Sequence, residues 1–424
     1  MDKLLITGPN KLTGSVTVSS AKNATLPILA GSILFPQEIE FQNLPGLSDI
    51  NFFIQILNSL GMKSSGELSA KKISAVEINR TVADYELVRK MRASILVLGP
   101  LLSRFGNAKV SLPGGCAIGS RPVDIHLSGL ELMGAEIKIE KGYVNAFSTG
   151  LKGAFIPLAF PSVGATENLM MAAVWASGIT VIDNAAKEPE IVDLANFLSQ
   201  FGTKVEGAGT SQVKVHGRSL DSYKKVVNNK YQIIGDRIEA ATYVIAGVIT
   251  NSNIIIDGFN PEHIKAVTDV LKEMGAKLEI ADSSITVYES SSIVGANIET
   301  APYPGFPTDV QAQLMSLMGV AKGNSVVTEH IFENRFMHVP ELVRLGNNIK
   351  LDGRSAIISG VNQSELSYAP VMCTDLRASA ALILTALVTE GETEINRIYH
   401  LDRGYENLSQ KLKALGAKIK RVKA

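Results

Sequence analysis

Between Leu112 and Asp124 the chain reads Leu-Pro-Gly-Gly-Cys-Ala-Ile-Gly-Ser-Arg-Pro-Val-Asp, with Cys116 in the middle and Arg121 shortly after it. Three glycines and two prolines predict a loop, so Cys116 is expected to be accessible. Arg121 favours its thiolate by charge. A thiol placed in this way serves either as a nucleophile or as an acid, and the residue type alone leaves both open. The second cysteine, Cys373 in Val371-Met372-Cys373-Thr374, has apolar neighbours and reads as a small core residue. Two cysteines make no disulfide framework and suit a reducing cytosol.

A second set of chemistry-bearing residues is found at helix starts. Lys22, Arg92, Arg237, Asp309 and Arg377, with Ser162-Val163-Gly164 completing the set, each open an apolar helical stretch about 40 residues before a recurrent glycine. Arg121, Arg335 and Arg403 precede a second helical stretch in three of the same segments. A cation at a helix amino terminus opposes the dipole, so the placement makes sense where an anion sits between the helix and the cation. For any one arginine, pairing with a local carboxylate such as Asp124, Glu333 or Asp402 explains it as well. Seven cations at two recurring positions favour one shared anion site. The six histidines show no metal-ligand spacing, so no metal is expected. No Walker A sequence and no G-x-S-x-G elbow is present.

The elements that must hold these groups repeat. Leu, Met or Phe followed by glycine ends a helix-like stretch at Gly61, Gly134, Gly202, Gly275, Gly346 and Gly416, about 70 residues apart. This period is longer than that of solenoid repeats and fits a small α/β unit. Ile264, Val267, Leu271 and Met274 show the helical spacing, as do Tyr405, Leu408, Leu412 and Leu415. Each repeat reads as strand, helix, strand, helix, strand, strand. Six repeats fill the chain, and the polar stretch from Asp221 to Lys230 is expected to separate two domains of three repeats each.

The whole composition agrees with a globular protein. The 424 residues are 46% hydrophobic and 19% charged, enough for two or three domains. Lysine plus arginine balances aspartate plus glutamate at 41 each, so no global field draws the chain to nucleic acid or to a membrane surface. The first residues break their apolar run too early for a signal peptide, and Leu169 to Ile182 is too short to span a bilayer. The expectation is a cytoplasmic protein without membrane insertion. Protein partners are not legible.

Several motifs together resemble the UDP-N-acetylglucosamine 1-carboxyvinyltransferases, a branch of the enolpyruvyl transferase family. They are Ala21-Lys22-Asn23-Ala24, Met91-Arg92-Ala93-Ser94, the Pro113 to Asp124 loop, Phe306-Pro307-Thr308-Asp309, Glu333 to His338, Thr374-Asp375-Leu376-Arg377-Ala378 and Asp402 to Glu406. The resemblance runs from end to end. It implies an α/β fold of two inside-out barrel domains, 22–232 and 1–21 plus 233–424, each of three repeats. It implies phosphoenolpyruvate and UDP-N-acetylglucosamine as substrates and no cofactor. Lys22, Asn23, Arg121 and Arg403 would bind phosphoenolpyruvate. Arg92, Arg121, Pro122, Val123, Asp124, Ile125, Ser162, Val163 and Gly164 would hold the nucleotide sugar, with Asp309 and Ile331 at the sugar itself. Cys116 looks like the general acid, which also forms a covalent adduct with phosphoenolpyruvate, and Asp309 like the group that takes the proton of the 3-hydroxyl. Arg335, Asp375 and Arg377 would complete a charged cleft. Ser20 stands where the family usually has glycine, and Phe160-Pro161 where many members carry a lysine.

Overall fold

The computed structural model describes residues 2–89, 91–112 and 123–423. They form two compact units, an amino-terminal one of residues 20–112 and 123–234 and a carboxy-terminal one of residues 2–19 and 235–423. Each unit contains three of the repeats. The repeat around Gly346 shows the pattern in full: strand Asn297–Glu299, helix Thr308–Met318, strand Asn324–Thr328, helix Val339–Arg344, strand Asn348–Asp352, strand Ser355–Ser359. The first strand pairs in parallel with the second, and the last two add antiparallel. Six such four-stranded sheets occur among the described residues.

The helix after the first strand of each repeat is the buried one. These are α1 (Lys22–Gly31), α2 (Leu98–Phe105), α3 (Val163–Ala172), α4 (Arg237–Ile249), α5 (Thr308–Met318) and α6 (Leu376–Val388). Every residue of α4 is buried. A helix that is apolar all round has no face for water and must lie inside. Several interior hydroxyls bond within their helix, as where Thr242 Oγ1 donates to the Ile238 carbonyl at 2.8 Å. In the carboxy-terminal unit α4, α5 and α6 pack on one another, and in the amino-terminal unit α3 packs against α1 and α2. The other helices are amphipathic: Lys265–Glu273 buries Val267 and Leu271 while Lys265 and Asp269 pair in solvent. Each unit is therefore an inside-out α/β domain, with helices at the centre and sheets around them. Among the described residues no helix is long and apolar enough to cross a membrane.

The recurrent glycines stop their helices as expected. Gly61, Gly134, Gly202, Gly275, Gly346 and Gly416 all have φ between 88° and 101°, a conformation that side-chain-bearing residues reach only with strain.

Some local expectations are corrected. Arg92 opens not an α-helix but a 3-10 stretch, Arg92–Val97, with α2 beginning at Leu98. Pro100 has no N–H to give and its ring crowds the carbonyl of Leu96, so the α-helical ladder cannot run through that turn. Tyr405 falls outside the last surface helix, Leu408–Ala414, because Asn407 takes a left-handed φ of 51°. The polar stretch 221–230 lies inside the amino-terminal unit and does not separate the two. Val226 N donates to Gln37 Oε1 at 2.8 Å, and Tyr223 packs on Phe35 and Trp175.

Residues 1–21 were expected in the carboxy-terminal domain, but which sheets the exchanged strands enter was not anticipated. The first strand of the Gly61 sheet is Lys230–Gln232, paired with Glu38–Gln42. The Gly275 sheet takes Thr13–Thr17 as its first strand, and the Gly416 sheet takes Asp2–Gly8 as its missing one.

Candidate active site

The carboxy-terminal unit gathers charge at the starts of its three buried helices. Asp309 is the second residue of α5. Its Oδ1 accepts from Arg335 Nη2 at 2.8 Å and its Oδ2 from Arg377 Nη2 at 3.3 Å. The two guanidinium groups are 3% and 4% exposed and the carboxylate 28%, so the acid is the part of the triad open to solvent. Arg377 lies over the Tyr405 ring at 5.4 Å and Arg335 over Phe332 at 5.6 Å. Such rings hold a guanidinium by its face and leave its edge for a carboxylate or phosphate. Burial alone would lower the pKa of Arg377. Asp309, then Tyr405 and Asp236, outweigh it and raise that pKa.

Each arginine-led helix also has a carboxylate cap. Asp236 Oδ1 accepts from the amides of Ile238 and Glu239 at 2.8 and 3.0 Å, ahead of α4. Asp375 Oδ1 accepts from Arg377 N at 2.8 Å and Ala378 N at 3.1 Å, ahead of α6. Capping carboxylates satisfy the free N–H groups and offset a cation at the first turn, so α4 and α6 tolerate Arg237 and Arg377. One turn further in, Gln313 Nε2 donates to the Asp309 carbonyl at 2.9 Å and to Tyr405 Oη at 3.1 Å, and Tyr405 Oη is 2.9 Å from Thr242 Oγ1. This buried polar knot ties α4, α5 and Tyr405 together beneath the triad.

In the amino-terminal unit Lys22 begins α1 and pairs with buried Asp49 at 3.5 Å, with Asn23 beside it. Ser162 caps α3, its Oγ accepting from Ala165 N at 3.3 Å, and Val163 and Gly164 form the first turn. Val123 precedes the helix Asp124–Leu132, which also carries Ile125 and the buried His126. A Cβ on Gly164 would stand 3.3 Å from His126 Cε1, so a larger residue there would have to push the ring back by a few tenths of an ångström. His126 Nδ1 pairs with Asn168 Nδ2 at 3.1 Å, and the same amide accepts from Gly99 N at 2.7 Å, locking α3 to α2.

Burial pushes the His126 imidazole down to about 4; Arg92 adds to the effect and Asp124 opposes it. The fold favours the neutral ring, so its contribution to stability is full above pH ~6.5 and lost as pH falls toward 4. The span corresponds to about 3 kcal/mol. His126→Gln should flatten the fall of Tm between pH 6.5 and 4, and equal slopes in the two proteins would count against a neutral buried ring.

Comparison with known proteins places the chain. A sequence model of the family described as EPSP synthase (3-phosphoshikimate 1-carboxyvinyltransferase) matches residues 6–412. Proteins named UDP-N-acetylglucosamine 1-carboxyvinyltransferase from Geotalea uraniireducens and Aliarcobacter butzleri are each 51% identical, over 100% of both chains. The chain belongs to the enolpyruvyl transferase family. A third relative, UDP-N-acetylglucosamine 1-carboxyvinyltransferase 1 of Caldanaerobacter subterraneus, is 49% identical over 99% of each chain. Among solved structures, the enolpyruvyl transferase NikO from Streptomyces tendae superposes with a TM-score of 0.88 at 24% identity, covering 100% of this chain and 99% of that one. EPSP synthase from Acinetobacter baumannii gives 0.78 at 18%, covering both chains fully. At these identities the two structures speak for the fold.

Within this enolpyruvyl transferase the structure brings Asp309, Arg335, Arg377 and Asp375 together in the carboxy-terminal unit. Ile331 sits on the loop just before Arg335, and Arg403 ends a 3-10 turn, Ile398–Arg403, ahead of Tyr405. Cys116, Arg121 and Pro122 lie outside the described residues. The local pairings proposed for the arginines are corrected at one point. Arg335 reaches Asp309, at the start of α5, and Asp402 also takes a two-point bridge from Arg421 at 2.8 Å per contact. His126 was assigned no role from sequence, nor was the buried His338 within its motif, although each stands eight residues before its repeat glycine (134 − 126 and 346 − 338). That shared position was the available signal. Burial takes His338 down to about 4 as well, Asp375 opposing and Arg335 assisting.

Proposed function

We propose that this enolpyruvyl transferase moves the enolpyruvyl group of phosphoenolpyruvate onto the 3-hydroxyl of UDP-N-acetylglucosamine and releases phosphate, in the first committed step of peptidoglycan synthesis. The observation that carries the reading is Asp309, a partly exposed carboxylate whose two oxygens are fixed by two buried guanidinium groups. The names of relatives half identical over their full length supply the acceptor.

The reaction needs these residue types. As the sugar oxygen attacks C2 of phosphoenolpyruvate, a proton is added to the methylene carbon C3 and the hydroxyl proton leaves. The tetrahedral product then loses a proton from the new methyl group and expels phosphate, which restores the double bond as an enol ether. Asp309 takes the hydroxyl proton. Cys116 is the acid for C3, and its sulfur can also add to C2 in place of the sugar oxygen. Lys22, Asn23, Arg121 and Arg403 hold phosphate and carboxylate, and fixed cations stabilise the leaving phosphate without reorganisation. Arg92, Val123, Asp124, Ile125 and the Ser162–Gly164 turn hold the nucleotide sugar. All chemistry is between the two substrates and side chains.

Phosphate release from phosphoenolpyruvate tests this directly. It should require UDP-N-acetylglucosamine and should not occur with shikimate 3-phosphate, the acceptor implied by the family description. Release with shikimate 3-phosphate alone would reassign the acceptor.

A further inference from the structure

Glu329 is a buried carboxylate, 1% exposed, immediately after the strand Asn324–Thr328. Four donors converge on it. Oε1 accepts from Thr300 Oγ1 at 2.8 Å, Ile331 N at 2.8 Å and Phe332 N at 3.1 Å, and Oε2 accepts from Thr308 Oγ1 at 2.8 Å. Thr300 Oγ1 itself accepts from His330 N at 2.9 Å, so its own proton is directed at Glu329. The two amides and the Thr300 hydroxyl make Oε1 an acceptor three times over, and Oε2 is tied to the Thr308 hydroxyl. The carboxylate stands at the amino terminus of α5, where negative charge is favoured.

Three of the four donors belong to the parts that aim Asp309. Thr308 is the residue before it and the first of α5. The amides of Ile331 and Phe332 fix the loop on which Ile331 is carried, and the Phe332 ring faces the guanidinium of Arg335, which grips Asp309 Oδ1. Two routes thus run from Glu329 to the Asp309 carboxylate, one through the helix start and one through the loop. We propose that Glu329 is a positioning residue for the acceptor half of the site: its carboxylate locks the Ile331 loop to the start of α5 and so sets where Asp309 meets the acceptor hydroxyl. The inference rests on the proposed roles of Asp309 and Ile331.

Steady-state kinetics of Glu329→Ala, Glu329→Gln and Thr308→Val, varying each substrate separately, test it. Glu329→Ala leaves two backbone amides without their acceptor, and a small displacement of a reacting group costs on the order of 100-fold in rate. The acceptor KM should rise about 10-fold and kcat fall about 10-fold, while the KM for phosphoenolpyruvate stays within about twofold. Glu329→Gln should recover most of this, since one amide oxygen still serves the three Oε1 donors and the Thr308 hydroxyl can turn to accept from the amide. Thr308→Val, which cuts only the helix-start route, should give a smaller rise in the acceptor KM and serves if the alanine variant does not fold. A purely structural role lowers the active fraction and kcat, and leaves both KM values and their ratio unchanged; that result in the folded variants would overturn the proposal. The acceptor is whichever one wild type turns over, so an error in its identity shows in wild type and an error about Glu329 shows only in the variants.

Discussion

Asp309→Asn should lower kcat about 10³-fold and leave the KM for UDP-N-acetylglucosamine within about threefold, since general base catalysis contributes on the order of 10² to 10⁴. The amide matches the carboxylate in shape. Its oxygen can keep the shorter bond, to Arg335 at 2.8 Å, while its NH₂ turns toward the more distant Arg377 at 3.3 Å. Binding suffers little from that exchange, but the amide cannot take a proton, so the loss belongs to the transition state. Asp309→Ala is the instructive contrast. It removes the partner of two guanidinium groups that are 3% and 4% exposed, and uncompensated buried charge costs on the order of 3–5 kcal/mol. Both variants remove that charge and should lose turnover and several degrees of Tm, the asparagine variant the less, since its amide oxygen still accepts from Arg335. Steady-state kinetics beside thermal unfolding of the two variants separates the roles. An unchanged kcat with a raised KM in Asp309→Asn would make the residue a binding group and place the base elsewhere.

What was legible in the sequence and what was not divide along a physical line. The repeat glycines, the apolar inner helices and the amphipathic outer ones are local signals. A left-handed C-cap needs glycine at that position whatever lies around it, and an all-apolar helix such as α4 has nowhere to go but inside. The exchanged strands leave no such mark. Lys230–Gln232 closes the sheet begun by Glu38–Gln42, and Thr13–Thr17 joins Asn253–Asp257, through backbone hydrogen bonds that any short extended segment can make. The site divides in the same way. Cations at the helix starts could be counted along the chain, but the partner of Arg335 could not, because Glu333 is near in sequence and Asp309 is near in space. Glu329 was invisible for a related reason. A single glutamate at the end of a strand is ordinary until two threonines and two amides are seen to point at it. Motif resemblance reached Asp309 and Ile331 while the residue that joins them carries no motif of its own.

Cys116→Ser should abolish labelling by a small anionic epoxide such as fosfomycin and lower turnover on the order of 100-fold or more, as expected when a general acid is lost. An ordinary thiol titrates near about 8.5, and Arg121, five residues further along the chain, is expected to favour the thiolate in the free enzyme. Bound substrate brings phosphate and carboxylate charge, which favours the proton on sulfur, where the mechanism needs it. The free enzyme should therefore be the reactive form toward the epoxide, and saturating phosphoenolpyruvate should slow the labelling. A serine hydroxyl is a far weaker acid than a thiol and a far weaker nucleophile. Cys116→Asp should also resist the epoxide, yet keep turnover that improves as pH falls, because a carboxylic acid can donate a proton where a hydroxyl cannot. The protein has its own internal control. Cys373 is fully buried, and burial, only partly offset by a hydrogen bond with Ser379, pushes its thiol up to about 11. It should stay unlabelled at neutral pH in wild type and in both variants. Mass spectrometry of the treated proteins reads the outcome, and an adduct on Cys373 with Cys116 untouched would remove Cys116 from the chemistry.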